Sequence, residues 1–291
     1  MTNNIIIGCG EVGSRLAQQL RERGEPVQGV VRSAASVARL AAAEIPSIQH
    51  DLLTDDAPAP ALITTGTHLF HFAPPPESGV IDLHTQNLLQ LFTRTGQPQR
   101  IVYISTTGVY GDCQGAWIDE THPVQPQADR SRRRWDAEQR LQQWRETTGG
   151  EVVILRVAGI YDPQRLPLAR LQQSIPLVRA EEAPYTNRIH VDDLVTVCLA
   201  AMERGVNGAV YNVCDGHPST MTDYFLAVAD AAGLPHPPLL PLSEAMEQLS
   251  AGMRSYMAES RRLSNRKLRE ELGVELRYPN LAAGLREISV G

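Results

Sequence analysis

The amino-acid sequence predicts an α/β fold, a doubly wound and mainly parallel sheet with a smaller C-terminal lobe, and three observations carry that reading. Short apolar runs alternate with stretches of helical periodicity through the first half of the chain, the pattern of successive βαβ units. A glycine-rich turn joins the first apolar run to the first helix. From Val157 the alternation breaks at Tyr161-Asp162-Pro163 and Leu166-Pro167, returns for one helix and one strand, and ends in a remainder rich in proline and charge. Residues 1–156 and 189–215 are therefore assigned to the sheet domain, and 157–188 and 216–291 to the lobe. At 291 residues and 42% hydrophobic, the chain can bury a large core.

Each element has its own signal. Ile5-Ile6-Ile7 reads as the first strand and Gly8-Cys9-Gly10-Glu11-Val12-Gly13 as the turn that follows. Val12, Leu16 and Leu20 recur at helical spacing, and Gly24 ends that helix. Pro26 to Val31 is the second strand, and Ser47 to His50 a short third one leading into Asp51-Leu52. His68 to Phe72 is a strand stopped by Pro74-Pro75-Pro76. Leu88, Leu91 and Phe92 share a helical face that Gly96 and Pro98 terminate, and Arg100 to Ser105 is again a strand. The polar stretch from Gly111 to Gln127 reads as a loop over the ligand cleft. Ala137, Leu141 and Trp144 mark a helix for which Asp129 is the expected N-cap, and Glu151 to Arg156 is the next strand. A helix from about Asp192 to Arg204 and a strand from Ala209 to Val213 complete the sheet.

The glycine turn has a specific chemistry. Gly8 permits a tight exit from the strand, Gly10 lets backbone approach a pyrophosphate, and Gly13 lets the helix pack closely on the sheet. Glu11 and Val12 complete the turn, and the free N–H groups of the helix end attract phosphate. This is a Rossmann-type dinucleotide site. A carboxylate for ribose hydroxyls is the usual residue after the second strand in NAD-binding proteins, whereas Arg32 and Ser33 stand here, a pair suited to a 2′-phosphate. NADP(H) is accordingly preferred over NAD(H), with a solvated loop cation the plainer alternative for Arg32.

Composition removes other classes. The net charge of −6 argues against nucleic acid as a partner. No apolar run is long enough to span a bilayer, and the N-terminus enters the first strand without an export signal. Cys9, Cys113, Cys198 and Cys214 have neither zinc nor disulfide spacing, so a cytoplasmic location and no metal are expected.

Three further segments resemble extended short-chain dehydrogenases/reductases, the superfamily of sugar-nucleotide epimerases and dehydratases. They are Ile104-Ser105-Thr106-Thr107-Gly108-Val109-Tyr110-Gly111, the run Asn187-Arg188-Ile189-His190-Val191-Asp192-Asp193-Leu194, and Val210-Tyr211-Asn212-Val213. The resemblance implies that Asp51 and Leu52 lie near the adenine, and that Ala73, Pro74 and Ser105 line the path to the nicotinamide. It also implies that Thr106 hydrogen-bonds the reacting oxygen of a small-molecule substrate, and that the chain pairs as a homodimer.

The resemblance is incomplete at the catalytic centre. With Glu138 setting the register, Arg130 and Arg134 stand where the family has the tyrosine and lysine of Tyr-x-x-x-Lys, a motif found nowhere in this chain. Arginine stays protonated, so Arg130 cannot act as general acid or base. Tyr110, Tyr161, Tyr185 and His190 are the alternative proton carriers, each with a packing role as the plainer reading. Arg130, Arg132, Arg133 and Arg134 read either as a solvated run or as a grip on an anionic substrate, for which Tyr161 and Arg188 are further candidates. Two functions follow: an NADP(H)-binding oxidoreductase or epimerase/dehydratase-like enzyme acting on a small anionic or nucleotide-linked carbonyl or alcohol, or a non-catalytic NADP(H)-binding redox sensor or interaction protein.

Overall fold

The structure is a computed structural model that describes residues 2–54, 62–249 and 251–286. Its centre is a seven-stranded sheet. In chain order the strands are β1 (Asn4–Ile7), β2 (Val27–Val31), β3 (Ser47–Gln49), β4 (His68–His71), β5 (Arg100–Thr106), β6 (Glu151–Val157) and β7 (Val210–Val213), and in space they run β7-β6-β5-β4-β1-β2-β3. Every neighbouring pair in this sheet is parallel. All of β1 is buried, as a strand covered on both faces requires.

The alternation of side chains divides the core in two. Ile6, Phe70, Val102, Val153 and Tyr211 face helices α1 (Glu11–Glu22) and α5 (Val191–Arg204). Ile5, Ile7, Leu69, Ile101, Tyr103 and Ile154 face α3 (Leu83–Thr95) and α4 (Asp129–Thr148), with α2 (Ala34–Ala42) between β2 and β3. A Cβ on Gly13 would lie 3.0 Å from Ile6 Cγ2, so the third glycine of the turn does bring α1 down onto the sheet. Chain order reverses at β1, which has β2 on one side and β4 on the other. That is where an open α/β sheet leaves a crevice at the carboxyl ends of its strands.

Two local expectations are corrected. The N-cap of α4 is Ala128, without a side-chain cap; Asp129 sits inside the first turn and pairs with Arg132 at 2.8 Å. The stretch from Gly111 to Gln127 does not cover the glycine turn. Its Trp117–Ile118 pairs in parallel with Arg262–Leu263, and Ser260 O accepts hydrogen bonds from the N–H groups of Cys113 and Gly115. The partner lies far along the chain, so local composition carried no trace of it.

Candidate functional site

Two adjoining cavities open at the carboxyl ends of the strands, one at the β1/β4 crevice and one beside the ends of β5 and β6. The first, of about 770 Å³, is lined by the glycine turn, the ends of β2 and β3, and the segment after β4. Among the expected cofactor residues, Gly8, Gly10, Arg32, Asp51, Leu52, Ala73 and Pro74 line it. Gly8 has φ +79°, and a Cβ there would meet the Ala73 backbone at 2.5 Å. Gly8 is thus required by the protein itself, whereas a Cβ on Gly10 would meet only Gly8 O, at 3.8 Å, and otherwise open space. Gly10 is also the N-cap of α1 and gives no side-chain cap, so the first amides of that helix are left for a ligand. This cradle fits a dinucleotide diphosphate.

The remaining expectations need revision. Glu11 pairs with Arg15 and Arg165, and Val12 packs into the core. Ser33 caps α2, accepting from Ser36 N at 3.2 Å, and it is Ser36, one turn on, that lines the cavity. Ser105 is buried and donates to Glu138, which is in turn bonded to Arg156 at 2.8 Å, so it serves the core rather than the cleft. Sequence reasoning missed Arg39. Its guanidinium donates to Cys9 O at 2.7 Å and to Ser14 Oγ at 2.6 Å, lying along the glycine turn. The signal was present in the i, i+3 spacing of Ser36 and Arg39, which a helix starting at Ala34 turns toward one side.

The second cavity, of about 450 Å³, shares Pro75, Pro76 and Glu77 with the first. Thr106 opens into it, its Oγ1 accepting from Gly108 N at 3.2 Å, which leaves the hydroxyl hydrogen to donate elsewhere. Arg130, Arg133, Arg134, Arg188 and Arg261 line it, against Glu77 and Glu259. Glu259 is already paired with Arg261 at 2.8 Å. Arg134 donates to Ile104 O at 2.8 Å and to the Tyr103 hydroxyl at 3.2 Å. Arg130 donates to Ser255 Oγ at 2.8 Å and stacks 4.2 Å over the ring of Tyr256. Of the cation run, only Arg132 takes the solvated role, through its pair with Asp129.

The alternative proton carriers separate sharply. Tyr110 is buried, donates to Asn212 Oδ1 at 2.8 Å and packs under Arg156; burial pushes its phenol up to about 12. Tyr161 is buried against His190, and burial together with Asp215 raises its phenol. Neither residue lines the second cavity, which corrects the catalytic expectation for Tyr110 and the substrate expectation for Tyr161. His190 is the N-cap of α5 and lies 3.7 Å from the Tyr278 ring, centre to centre. The neighbouring acids are equally structural: Asp192 pairs with Arg15 at 2.7 Å, and Asp193 accepts from the backbone N–H groups of Arg277 and Tyr278. The His-Val-Asp-Asp run therefore ties the C-terminal segment to the sheet. Tyr185 does line the cavity, and so does Tyr256 of the short helix Ala251–Met257, which the sequence analysis passed over because it lies far from any motif.

A parallel sheet with a glycine-turn crevice and a second polar cavity beside it defines a dinucleotide-binding protein of the extended reductase and epimerase class. The model of the NAD dependent epimerase/dehydratase family matches residues 5–214, and the chain belongs to that family. It is 26% identical to "Protein YeeZ" of Escherichia coli over 94% of this chain and 96% of that one. It is 28% identical, over 78% of its length and 72% of the relative's, to a Stigmatella aurantiaca protein named 4-hydroxy-2-methyl-3-oxo-4-farnesyl-3,4-dihydroquinoline-1-oxide ketoreductase. Among solved structures, a functionally unknown conserved protein from Silicibacter pomeroyi superposes with a TM-score of 0.85 at 32% identity, covering 99% and 98% of the two chains. UDP-glucose 4-epimerase from Thermotoga maritima, solved with UDP-glucose, has a TM-score of 0.76 at 19% identity over 99% and 97%, a likeness of fold. Among the described residues no helix is long and apolar enough to cross a membrane, and no cluster of metal-ligand type is found.

Proposed function

We propose that this chain is an NADP(H)-dependent oxidoreductase acting on a small anionic carbonyl or alcohol. The observation that carries the reading is the junction of the glycine-turn cavity with a cavity that holds Thr106 and several guanidinium groups. The amides of α1 beside Gly10 would hold the diphosphate, Arg32, Ser36 and Arg39 the 2′-phosphate, and Asp51 and Leu52 the adenosine end. Ala73 and Pro74 would line the path toward the second cavity. When bound, the nicotinamide cofactor supplies or accepts a hydride.

Thr106 is assigned to orient the reacting oxygen, since its Oγ1 is fixed by Gly108 N while its O–H can donate. Arg130 and Arg134 supply positive charge in place of a titrating pair. The proton is assigned to Tyr256, whose ring carries the guanidinium of Arg130 on its face in the same cavity. Residues 157–188 and 216–291 act as the substrate lobe in this reading, and the chain works as a homodimer.

The test is NADPH oxidation followed against a panel of 2-oxo acids, phosphorylated ketones and nucleotide sugars. Turnover of an anionic carbonyl that is lost in Thr106→Ala and Tyr256→Phe, with NADPH affinity retained, supports the proposal. Tight NADPH binding with no turnover across the panel overturns it in favour of the non-catalytic redox sensor, the reading that the missing Tyr-x-x-x-Lys pair favours.

A further inference from the structure

Among the described residues, Arg188 is a buried cation that forms no ion pair. It is 9% exposed at the second cavity, and among the described residues no carboxylate lies within ion-pairing distance of it. Its Nη1 donates to Asn187 O at 3.1 Å, its Nη2 lies 3.8 Å from Met221 Sδ, and its guanidinium stacks 4.2 Å over Tyr224. A guanidinium has five N–H donors, and a sulfur and a ring face are weak acceptors, so most of its bonding capacity is unspent. The Asp215 backbone N–H donates to Arg188 O at 2.8 Å, but its carboxylate acts on the guanidinium only through space and has an oxygen with no partner of its own. Burying an unpaired charge is costly, and burial does depress the affinity of Arg188 for its proton. Yet this chain, of net charge −6, concentrates Arg130, Arg134 and Arg188 in one cavity, and among the described residues none of the three is in an ion pair.

The space for this arrangement is made by Gly159. A Cβ there would lie 2.9 Å from Arg188 Nη1 and 3.2 Å from Asn187 O, so any larger residue would displace the guanidinium. Resting on the oxidoreductase reading above, we propose that Arg188 is the seat of a second anionic group of the substrate. The substrate is then a dianion, with one oxyanion near Arg130 and Arg134 on the Thr106 side and another, a carboxylate or a phosphate, at Arg188. A guanidinium suits either oxyanion, because two parallel N–H bonds match the two oxygens of each.

The experiment is calorimetric titration of the full chain with succinate and inorganic pyrophosphate as probes that carry two anionic groups, and with acetate as the monoanion. The wild-type protein should bind at least one dianion at least tenfold more tightly than acetate. Arg188→Met and Gly159→Ala should each abolish that preference while leaving NADPH affinity within twofold. Because the removed charge had no partner, the melting temperature of Arg188→Met without ligand should equal or exceed that of wild type, and the dianion should no longer raise it. Unchanged dianion affinity in both variants, or no preference for dianions in wild type, would overturn the proposal. The two readings fail separately: loss of NADPH binding in wild type removes the oxidoreductase, and loss of the dianion preference with NADPH binding intact removes only the Arg188 seat. Should Arg188→Met prove insoluble, Gly159→Ala, which keeps the charge and moves it, decides the matter alone.

Discussion

Gly8 and Gly10 sit two residues apart in one turn, yet the structure gives them opposite duties, and alanine at each position separates these. At Gly8 the backbone has φ +79°, and a new Cβ would lie 2.5 Å from both N and Cα of Ala73. Left-handed backbone costs a residue with a side chain roughly 1–2 kcal/mol. Moving the end of β4 aside adds roughly 1–3 kcal/mol as an overpacking cost. Gly8→Ala should therefore lose roughly 2–5 kcal/mol of stability in the absence of any ligand. At Gly10 φ is −84°, and the new methyl would meet only Gly8 O at 3.8 Å, so stability should change by less than about 1 kcal/mol. The same methyl would occupy the space assigned to the diphosphate, and an overpacking cost of roughly 2–3 kcal/mol there corresponds to a roughly 30- to 160-fold weaker NADPH complex. Urea unfolding measures the first quantity and calorimetry the second. Gly10→Ala binding NADPH as wild type does, or losing as much stability as Gly8→Ala, would refute the reasoning.

Further outcomes follow from the same geometry. Arg32→Ala should weaken NADPH roughly 10- to 100-fold by removing a charge-assisted contact to the 2′-phosphate, while NADH affinity stays nearly constant in parallel titrations. Glu138→Gln leaves the buried Arg156 without its partner and should cost about 3–5 kcal/mol in urea unfolding, much of it recovered when Arg156→Met is added. Asp215 is held by burial at about 6, above its unfolded value of 3.8, so its charged form opposes folding. That penalty is complete above pH 6 and vanishes as pH falls below 4, with a size on the order of 3 kcal/mol. Asp215→Asn should thus melt higher than wild type at pH 8 and no higher at pH 4; equal melting temperatures at both would contradict this.

The sheet was legible because its signals are local. The βαβ opening needs only the Ile5-Ile6-Ile7 run, a glycine turn and a 3.6-residue period, and β5 and β6 are built on continuous apolar runs buried on both faces. The cofactor turn was legible for the same reason, since Gly8 and Gly13 each have a purely geometric cause and stand at fixed spacing about Gly10. What escaped depends on contacts between distant segments. Ser33 and Ser36 are indistinguishable until the start of α2 decides which of them caps it. Tyr110 and Tyr256 have the same chemistry, but one meets Asn212 in the core and the other is carried to Arg130 by the short helix Ala251–Met257. The arginine run could be read as solvated or as a ligand grip, and only the packing of α4 against the cavity distinguishes Arg132 from Arg130 and Arg134.

The account stands on a nicotinamide dinucleotide lying along the glycine turn with its adenosine phosphate among Arg32, Ser36 and Arg39. Calorimetric titration of the wild-type protein with NADPH and with NADH tests this most directly. NADPH should bind with an affinity at least tenfold above that of NADH; absence of heat with both nucleotides, or a preference for NADH, would contradict it.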